Sequence, residues 1–569
     1  MNGTGVSAGI ARAAQCPIEE ETTVSQVYIE DVSAHLALLR TARRTAAQAL
    51  EETAHRVACQ FGQAEGEVFE AQLVFLDSDE LWNAAEALVT TEKKCAAWAF
   101  SETIDEKITM FEHLDNPYLR ERALDLKDIR ARVLHLLGKT GHSGARCDGD
   151  VVLMAREVTP SQLTSDLYGG ICGVVMEEGG STSHTVLLAN TIGIPCVIGV
   201  KGLMAAARAG AQILLDGSSG EVILEPGAEE IEEYESRRAR LSREAAEDRR
   251  FFGLPSRSAD GTQLHIFCNI GSVQDAAAVL ANDGGGVGLM RSEFLFLGRA
   301  SSPSEEEQYI AYRKTAEAIA PRPLVIRTLD IGGDKQVPYL GMKKEENPFL
   351  GYRALRFCLE HEEVFLPQLR AVLRAACTGN VRLMFPMVTT VEEFRRARAM
   401  LRKAAQQLRR EGVPFSEDIP VGMMVEVPSA AILADQFVKE ADFFSIGTND
   451  LTQYLLSADR GNGKVAYLNL AYDPAVLRTV YHIARTARGA DKSVAICGHA
   501  AQNKLLLPVW LAMGITELSV SPGAVLAVRR RLAAYRKEAL ENLLQEILML
   551  PTAREVRARL EQIALQPAL

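Results

Sequence analysis

The chain has 569 residues and a formal net charge of −12, with 47% hydrophobic and 24% charged residues. That length is too great for one hydrophobic core, so roughly three or four domains are expected. The negative charge argues against nucleic acid or an anionic membrane surface as the main partner and slightly favours a basic protein. The ten cysteines include no Cys-x-x-Cys pair, and no stretch is apolar enough for a signal peptide or a membrane span. We therefore expect a cytoplasmic protein without membrane insertion.

The first 140 residues contain two different patterns. Residues 3–10 are glycine-rich and apolar, which is typical of a strand with turns. From 21 to 140, glycine and proline become scarce, and apolar residues such as Val32, Leu36 and Leu39 recur at helical spacing. This second pattern predicts a helical bundle over 21–140.

Short apolar runs separated by glycine and aspartate follow the bundle. The predicted strands are Val151–Met154, Ile171–Met176, Cys196–Ile198, Ile213–Leu215 and Val222–Leu224. Helical segments lie between these runs, so an α/β domain is predicted. Residues 1–20 are expected to join it, which makes the domain 1–20 plus 141–228 and the bundle an insertion. Charged residues then dominate to about residue 252 and predict an exposed connecting helix over 229–257.

Within the α/β domain, residues 179–185 read Gly-Gly-Ser-Thr-Ser-His-Thr and precede an apolar run. Two glycines permit a tight turn, and the hydroxyls can cap a helix that begins at or just before His184. A helix N-terminus favours a phosphate, so His184 is a candidate nucleophile that carries a phosphoryl group. Taken alone, the same residues also fit a capped helix with an incidental histidine.

The remainder of the chain, 258–569, repeats one pattern, in which an apolar run ends in polar residues and a helical segment follows. The runs are Ile266–Cys268 before Asn269, Val287–Met290 before Arg291, Leu324–Ile326 before Arg327, Phe349–Leu350 before Arg353, Leu383–Phe385 before Pro386, Met423–Val425 before Glu426, Phe443–Ile446 before Asn449, and Val494–Ile496 before Cys497. Eight such units predict a C-terminal (β/α)8 barrel whose chemistry lies at the carboxyl ends of its strands.

The mouth of this barrel would collect cationic side chains beside two carboxylates. The cationic residues are Arg291, Arg327, Lys335, Arg353 and Arg460, and the carboxylates are Glu426 and Asp450. Arginine holds phosphate and carboxylate in a bidentate manner, so an anionic ligand is expected. Two carboxylates among such arginines suit Mg²⁺, which also takes substrate oxygens as ligands. Ordinary surface ion pairing is the alternative interpretation.

Several stretches resemble the family of PEP-utilising enzymes, where PEP is phosphoenolpyruvate. Residues 179–185 resemble the phosphohistidine signature of that family. The barrel stretches that resemble it are GLMRSEFLF at 288–296, RTLDIGGDK at 327–335, NPFLGYR at 347–353, FSIGTNDLTQY at 444–454 and ICG at 496–498. In order and length the whole chain is similar to the enzyme I family of bacterial phosphotransferase systems. Dikinases and PEP synthases place an ATP-grasp domain first, where this chain has its helical insertion.

The resemblance implies a swivelling phosphohistidine domain and a defined reaction. The phosphoryl group of PEP would pass to His184 and then to a histidine of HPr, a small phosphocarrier protein, with release of pyruvate. This is the first step of PEP-dependent sugar phosphotransfer. Cys497 would be catalytic as the acid that protonates the enolate. The residues implied to bind PEP are Arg291, Arg327, Lys335, Arg353, Asn449, Asp450 and Arg460, and those implied to hold Mg²⁺ are Glu426 and Asp450. The helical insertion would dock HPr, and the barrel would form a homodimer.

Three residues depart from the pattern of the family. Asn190 stands where arginine is usual, His499 where glutamate is usual, and Gln72 where histidine is common. These departures leave open how fast the chain reacts and which partner it prefers. The alternative function is therefore a catalytically weakened regulatory or scaffolding relative that binds PEP or a partner protein, and detectable turnover distinguishes the two.

Overall fold

The chain forms two compact units, Met1–Ser242 and Arg243–Leu569, each of which is described by itself. The computed structural model describes residues 1–7, 9–18, 24–61, 63–113, 117–138, 149–164, 170–180, 183–297, 299, 301–332, 337–343 and 345–564. Among these residues, no helix combines the length and the apolar character that crossing a membrane requires.

The first unit contains a helical part. Its helices are α1 (Val32–Phe61), α2 (Gln63–Leu76), α3 (Asp79–Thr91), α4 (Ala96–Glu112) and α5 (Pro117–Leu136). The helical spacing of apolar residues seen in the sequence is the spacing of its buried face, since Leu39, Ala42, Ala46 and Leu50 on α1 are all within 3% of full burial. The five helices enclose a core that continues into the neighbouring sheet.

The second part of this unit is a seven-stranded sheet in the described part of the chain, with the order β1-β5-β4-β3-β2-β6-β7. The strands are β1 (Thr4–Ser7), β2 (Ile10–Pro17), β3 (Asp150–Ala155), β4 (Gly170–Met176), β5 (Cys196–Ile198), β6 (Gln212–Asp216) and β7 (Glu221–Leu224). Short helices α6 (Pro160–Leu163), α7 (His184–Ile192) and α8 (Leu203–Ala206) connect them. Strand β2 pairs in parallel with β3, so the N-terminal residues and the residues after the helical part form one sheet.

Helix α9 (Ala228–Arg249) contains the boundary between the two units. In the first unit, Arg237 pairs with Asp216 of β6 at 2.7 Å. In the second unit, Arg530 donates to Asp248 at 2.5 Å. Residues of α9 on each side of the boundary are therefore bonded to their own unit.

Arg529 fixes the residues that follow α9. Its guanidinium is 4% exposed and donates to the hydroxyl of Ser256 at 3.1 Å and the carbonyl of Phe251 at 2.9 Å. It also donates to the carbonyl of Asp283 at 2.7 Å and pairs with the Asp283 carboxylate. These acceptors satisfy the donors of one buried side chain of the second unit. Residues 251–256 therefore belong structurally to that unit.

The second unit is a closed barrel of eight parallel strands within the described residues, which confirms the predicted fold class. Its strands are β8 (His265–Ile270), β9 (Val287–Arg291), β10 (Leu324–Arg327), β11 (Val381–Phe385), β12 (Val421–Val425), β13 (Phe443–Gly447), β14 (Ser493–Cys497) and β15 (Glu517–Val520). The helices are α10 (Asp275–Ala281), α11 (Glu305–Ile319), α12 (Leu355–Cys358), α13 (Glu362–Ala375), α14 (Val391–Glu411), α15 (Pro428–Ile432), α16 (Ala434–Phe437), α17 (Thr448–Leu455), α18 (Pro474–Gly489), α19 (Leu507–Met513), α20 (Val525–Leu532), α21 (Lys537–Met549) and α22 (Ala553–Ala564).

One predicted strand of the barrel is wrong. Phe349–Leu350 lies in a 3-10 turn, Pro348–Leu350, and the remaining strand is β15. Strand β15 was not predicted because its polar residues alternate with apolar ones. Ser519 interrupts the apolar pattern, although it is 1% exposed inside the barrel. Its hydroxyl donates to Asn269 of β8 at 2.7 Å.

Strand alternation places the functional side chains in the barrel interior. The residues Leu289, Val325, Met384, Met424, Phe443 and Cys497 form an interior cluster, whereas their strand neighbours pack against the helices. Since side chains alternate with a period of two, Arg291, Arg327 and Glu426 share the inward face with the interior residues two positions before them.

Candidate active site

Two buried arginines form the centre of the barrel mouth. Arg327 is 6% exposed and Arg353 is 3% exposed. Arg327 pairs with Glu293 and, at 3.1 Å, with Asp330. Arg353 donates to the other oxygen of Asp330 at 2.8 Å. Asp330 thus joins the two guanidinium groups and fixes their spacing.

Both arginines remain charged in this environment. Burial alone would lower the pKa of Arg327, but the carboxylates of Glu293, Asp330 and Glu426 outweigh it and raise that pKa above its ordinary value. The pKa of Arg353 is raised in the same way by Asp330 and Asp450. Buried guanidinium groups that stay positively charged favour an anionic ligand whose oxygens accept bidentate hydrogen bonds.

Glu426 follows β12 directly and is 1% exposed. One carboxylate oxygen accepts the backbone N–H of Met387 at 2.7 Å. A Cβ atom added at Gly447 would lie 2.5 Å from the other oxygen, so glycine on β13 leaves the space that this carboxylate occupies. Burial, together with the negative charges of Asp450 and Asp330, raises the pKa of Glu426 to about 8.

Asp450 lies in the first turn of α17 and is 8% exposed. Its Oδ1 is 3.4 Å from Arg460 and 3.8 Å from Arg353, yet it accepts no hydrogen bond from the described residues. An oxygen without a donor beside a second buried carboxylate fits a cation of the Mg²⁺ type. The described residues include no group of three or more His, Cys, Asp or Glu placed to hold a metal.

A buried thiol lies at the end of β14. Cys497 is 2% exposed and its Sγ donates to the carbonyl of Ile446 at 3.2 Å. Burial raises the pKa of this thiol to about 11, so it stays protonated at neutral pH. Gly498 follows with φ +88°, and a Cβ atom there would lie 2.8 Å from Oδ1 of Asn449. Glycine therefore permits the close approach of β14 and α17.

The other predicted residues of the mouth have different environments. Arg291 ends β9 and is exposed. The guanidinium of Arg460 lies 5.8 Å from the ring centroid of Phe349, and that of Arg353 lies 5.9 Å from it on the same ring. Lys335 lies outside the described residues. Phe349 was not anticipated as a contact of two arginines.

The sequence places Glu293 and Asp330 after predicted strands, but the sequence analysis gave neither of them a role beside the arginines. Glu293 and Asp330 are each 3% exposed or less, and they make the ion pairs described above. The available signal was proximity in sequence, since Glu293 is two residues from Arg291 and Asp330 three residues from Arg327. The structure brings Arg327, Arg353, Glu426, Asn449, Asp450, Arg460 and Cys497 together at one end of the barrel.

The predicted helix at His184 is present in the first unit. Helix α7 begins at His184, and Ser183 is its N-cap, with a side chain that accepts the N–H of Val186 at 3.5 Å. The hydroxyl of Thr185 donates to the carbonyl of Val158 at 2.6 Å and ties the first turn of α7 to the loop between β3 and α6. The backbone N–H groups at this helix start are suited to a phosphate.

The three departures have distinct structural roles. Asn190 donates from Nδ2 to the carbonyls of Val6 and Val186, each at 3.0 Å. Gln72 on α2 is fully buried and donates to Asp128 of α5 at 3.0 Å. His499 is exposed, and its backbone N–H donates to Asn449 at 3.3 Å. Two of the three departures are thus committed to bonds within the fold.

The chain is similar to known proteins along nearly its whole length. Family models match residues 2–122 as the N-terminal part of PEP-utilising enzymes, 147–220 as their mobile domain and 245–537 as their PEP-binding domain. The phosphoenolpyruvate-protein phosphotransferase of Geobacillus stearothermophilus is 41% identical over 98% of this chain and 96% of its own length. That of Bacillus subtilis (strain 168) is 40% identical over 98% of each chain. A solution structure titled Enzyme I (nEIt) is 29% identical and covers 42% of this chain and 99% of its own, with a TM-score of 0.36.

Proposed function

This chain belongs to the PEP-utilising enzymes, and on that premise we propose that it is a phosphoenolpyruvate-protein phosphotransferase. It takes the phosphoryl group of PEP onto His184 and passes it to a histidine of HPr, with release of pyruvate. The single observation that carries the proposal is the buried pair Arg327 and Arg353 beside Glu426 and Asp450, in a chain that also places a histidine at a capped helix start.

In this proposal the barrel binds PEP by charge. Arg327 and Arg353, with Arg291, Arg460 and Lys335, hold the phosphate and carboxylate, and Asn449 completes the pocket. Glu426 and Asp450 would hold Mg²⁺, which when bound supplies charge neutralisation at the phosphate oxygens. The contribution of the protein to such a transfer is mainly positioning and electrostatic stabilisation.

The reaction then conserves atoms and charge. A ring nitrogen of His184 attacks phosphorus, the N–P bond forms, and the bond from phosphorus to the enolate oxygen breaks. The leaving enolate takes a proton at its methylene carbon from the Cys497 thiol and becomes pyruvate. A thiol that stays protonated up to high pH is suited to this acid role. Solvent returns the proton to the thiolate.

The remaining parts of the proposal concern partners. The helical part over 21–140 would dock HPr, and the barrel unit would pair into a homodimer. Free thiols such as Cys358, Cys377 and Cys497 support a reducing cytoplasmic location. The domain boundaries predicted from the sequence, 1–20 with 141–228, 229–257 and 258–569, are part of the same proposal.

The test is a time course with PEP labelled in the phosphate, Mg²⁺ and a candidate HPr. We expect acid-labile, base-stable label on the chain, then on HPr, with one pyruvate formed for each phosphoryl group transferred. Binding of PEP without pyruvate release, measured in the same mixture by pyruvate assay, would instead identify the weakened regulatory relative.

A further inference from the structure

Helix α13 carries one buried amide on a face that is otherwise apolar. Gln368 is 1% exposed, and its neighbours on that face include Phe365, Leu369 and Val372, all fully buried. A glutamine in such a position loses its bonds to water and needs protein partners in return. Since leucine or methionine would fill the same volume without that requirement, the partners of the amide indicate why it is there.

Gln368 contacts the chain just beyond two barrel strands. Its Oε1 accepts the backbone N–H of Leu329 at 3.0 Å, and its Nε2 donates to the hydroxyl of Ser292 at 3.1 Å. Nε2 also donates to the hydroxyl of Tyr312 at 3.1 Å. Both amide hydrogens are used, and the orientation of the amide is fixed because only oxygen can accept from Leu329.

The Leu329 contact occurs where β10 leaves the sheet. The N–H of Thr328 still donates to β11, at the carbonyl of Met384, over 3.0 Å. The next N–H, that of Leu329, has Gln368 as its acceptor instead. The following residue is Asp330, which joins Arg327 and Arg353. The amide therefore sets the direction in which the chain carries Asp330 into the mouth.

The Ser292 contact has the same consequence on the neighbouring strand. Ser292 is fully buried and lies between Arg291 and Glu293. Glu293 pairs with Arg327. One amide in the helix layer thus holds the two backbone segments that supply the carboxylates around Arg327.

We propose that Gln368 is a positioning residue of the PEP site, because it holds the segments at Ser292 and Leu329 and thereby sets Glu293 and Asp330 around Arg327. The inference rests on the proposed function, in which Arg327 binds PEP. A displaced guanidinium binds the substrate less well, so the KM for PEP is the sensitive quantity.

The test replaces Gln368 with methionine in the full-length chain and measures pyruvate formation with Mg²⁺ and excess HPr. The Gln368→Met variant should raise the KM for PEP by about 10- to 100-fold. A merely structural role would reduce the fraction of folded enzyme, which lowers kcat at an unchanged KM. Transfer from phospho-HPr to His184 does not use the barrel and should remain at the wild-type rate.

Gln308 supplies a matched control. It is an equally buried amide in the same layer, 1% exposed. Its Nε2 donates to the carbonyl of Pro303 at 3.2 Å, and its Oε1 accepts from the Tyr312 hydroxyl at 3.4 Å. Neither bond reaches the segments after β9 and β10. Gln308→Met should lose comparable thermal stability but keep the KM for PEP within about twofold.

Three results would overturn the inference: an unchanged KM in folded Gln368→Met, an equal rise in both variants, or a fall in kcat alone. If Gln368→Met does not fold, Ser292→Ala removes one of the same bonds and should raise the KM by about 3- to 10-fold, and an unchanged KM there is equally decisive. The wild-type chain is assayed in parallel. Absence of wild-type turnover overturns the proposed function and this inference with it, whereas an active wild type with an insensitive variant overturns this inference alone.

Discussion

The barrel mouth and the start of α7 are built in different ways. The mouth takes its groups from the ends of separate strands, with Arg327, Glu426 and Asp450 far apart in sequence. The start of α7 uses consecutive residues, with Ser183 as the cap and His184 as the first helical residue. The mouth consists of side-chain charges that the fold already pairs, whereas α7 offers backbone N–H groups at its start.

In the proposed function, this difference corresponds to a division of labour between the two units. Paired charges in a buried mouth keep their geometry without a ligand, which suits recognition of a small, highly charged substrate. In the proposed function His184 meets two phosphoryl partners in turn, and the backbone N–H groups at the start of α7 can interact with each phosphoryl group. Four experiments would break or sharpen this contrast.

The largest effect is expected at the start of α7. His184→Ala should abolish labelling from PEP and from phospho-HPr alike, because both transfers use the same nitrogen. The barrel should still bind PEP, which equilibrium binding with labelled PEP measures. Label retained on the variant at the wild-type level would mean that another residue carries the phosphoryl group.

A change at the mouth should separate the two transfers. Glu426→Gln keeps the shape of the side chain but removes the group that would ionise to hold Mg²⁺, so labelling from PEP should fall by about 10³-fold. Labelling from phospho-HPr should be unaffected. The exposed carboxylate Glu392 of the same unit provides the control Glu392→Gln. An equal loss in both transfers would contradict the division of labour.

The Cys497 thiol gives a test that needs no substrate. Burial disfavours its thiolate and raises the pKa to about 11, so the neutral thiol is the main form below that pH. Only thiolate reacts with iodoacetamide, and at pH 8 Cys497 should react about 100-fold more slowly than an ordinary exposed thiol. Peptide mapping against exposed Cys377 measures this. Equal rates at the two cysteines would remove the case for a neutral acid.

The smallest effect is expected at Asn190. Asn190→Arg should raise the rate or the extent of His184 phosphorylation by PEP, by up to about 10-fold, because an arginine can offer a charge-assisted hydrogen bond to phosphate. The Asn190→Arg change should also reduce stability, because it removes a hydrogen bond. Val6 lies at an irregularity in the β1–β5 pairing, and Asn190 satisfies its carbonyl. The melting temperature should therefore fall slightly, and a variant with neither gain would show that Asn190 is no handicap.

The sequence predicted most of the barrel because apolar runs and polar strand ends recur in phase. It placed Arg353 in the mouth but for the wrong reason, since this residue follows a 3-10 turn rather than a strand. Strand β15 was missed because Glu517 and Ser519 face the barrel interior and interrupt the apolar pattern. The bonds of Asp330, Gln368 and Asn190 join segments that are distant in sequence. No local sequence pattern predicts such contacts.

Arg529 bears on where the barrel can be cut for production as a separate protein. A chain that begins at residue 257 would keep every strand of the barrel but would lose the Phe251 carbonyl and the Ser256 hydroxyl. The guanidinium would then remain buried with two unmet donors, at a cost of about 1–3 kcal/mol for each. A chain that begins at residue 243 keeps both acceptors, and it also keeps Asp248 for Arg530. The residues that the barrel needs for its full stability therefore begin within α9, well before its first strand, β8.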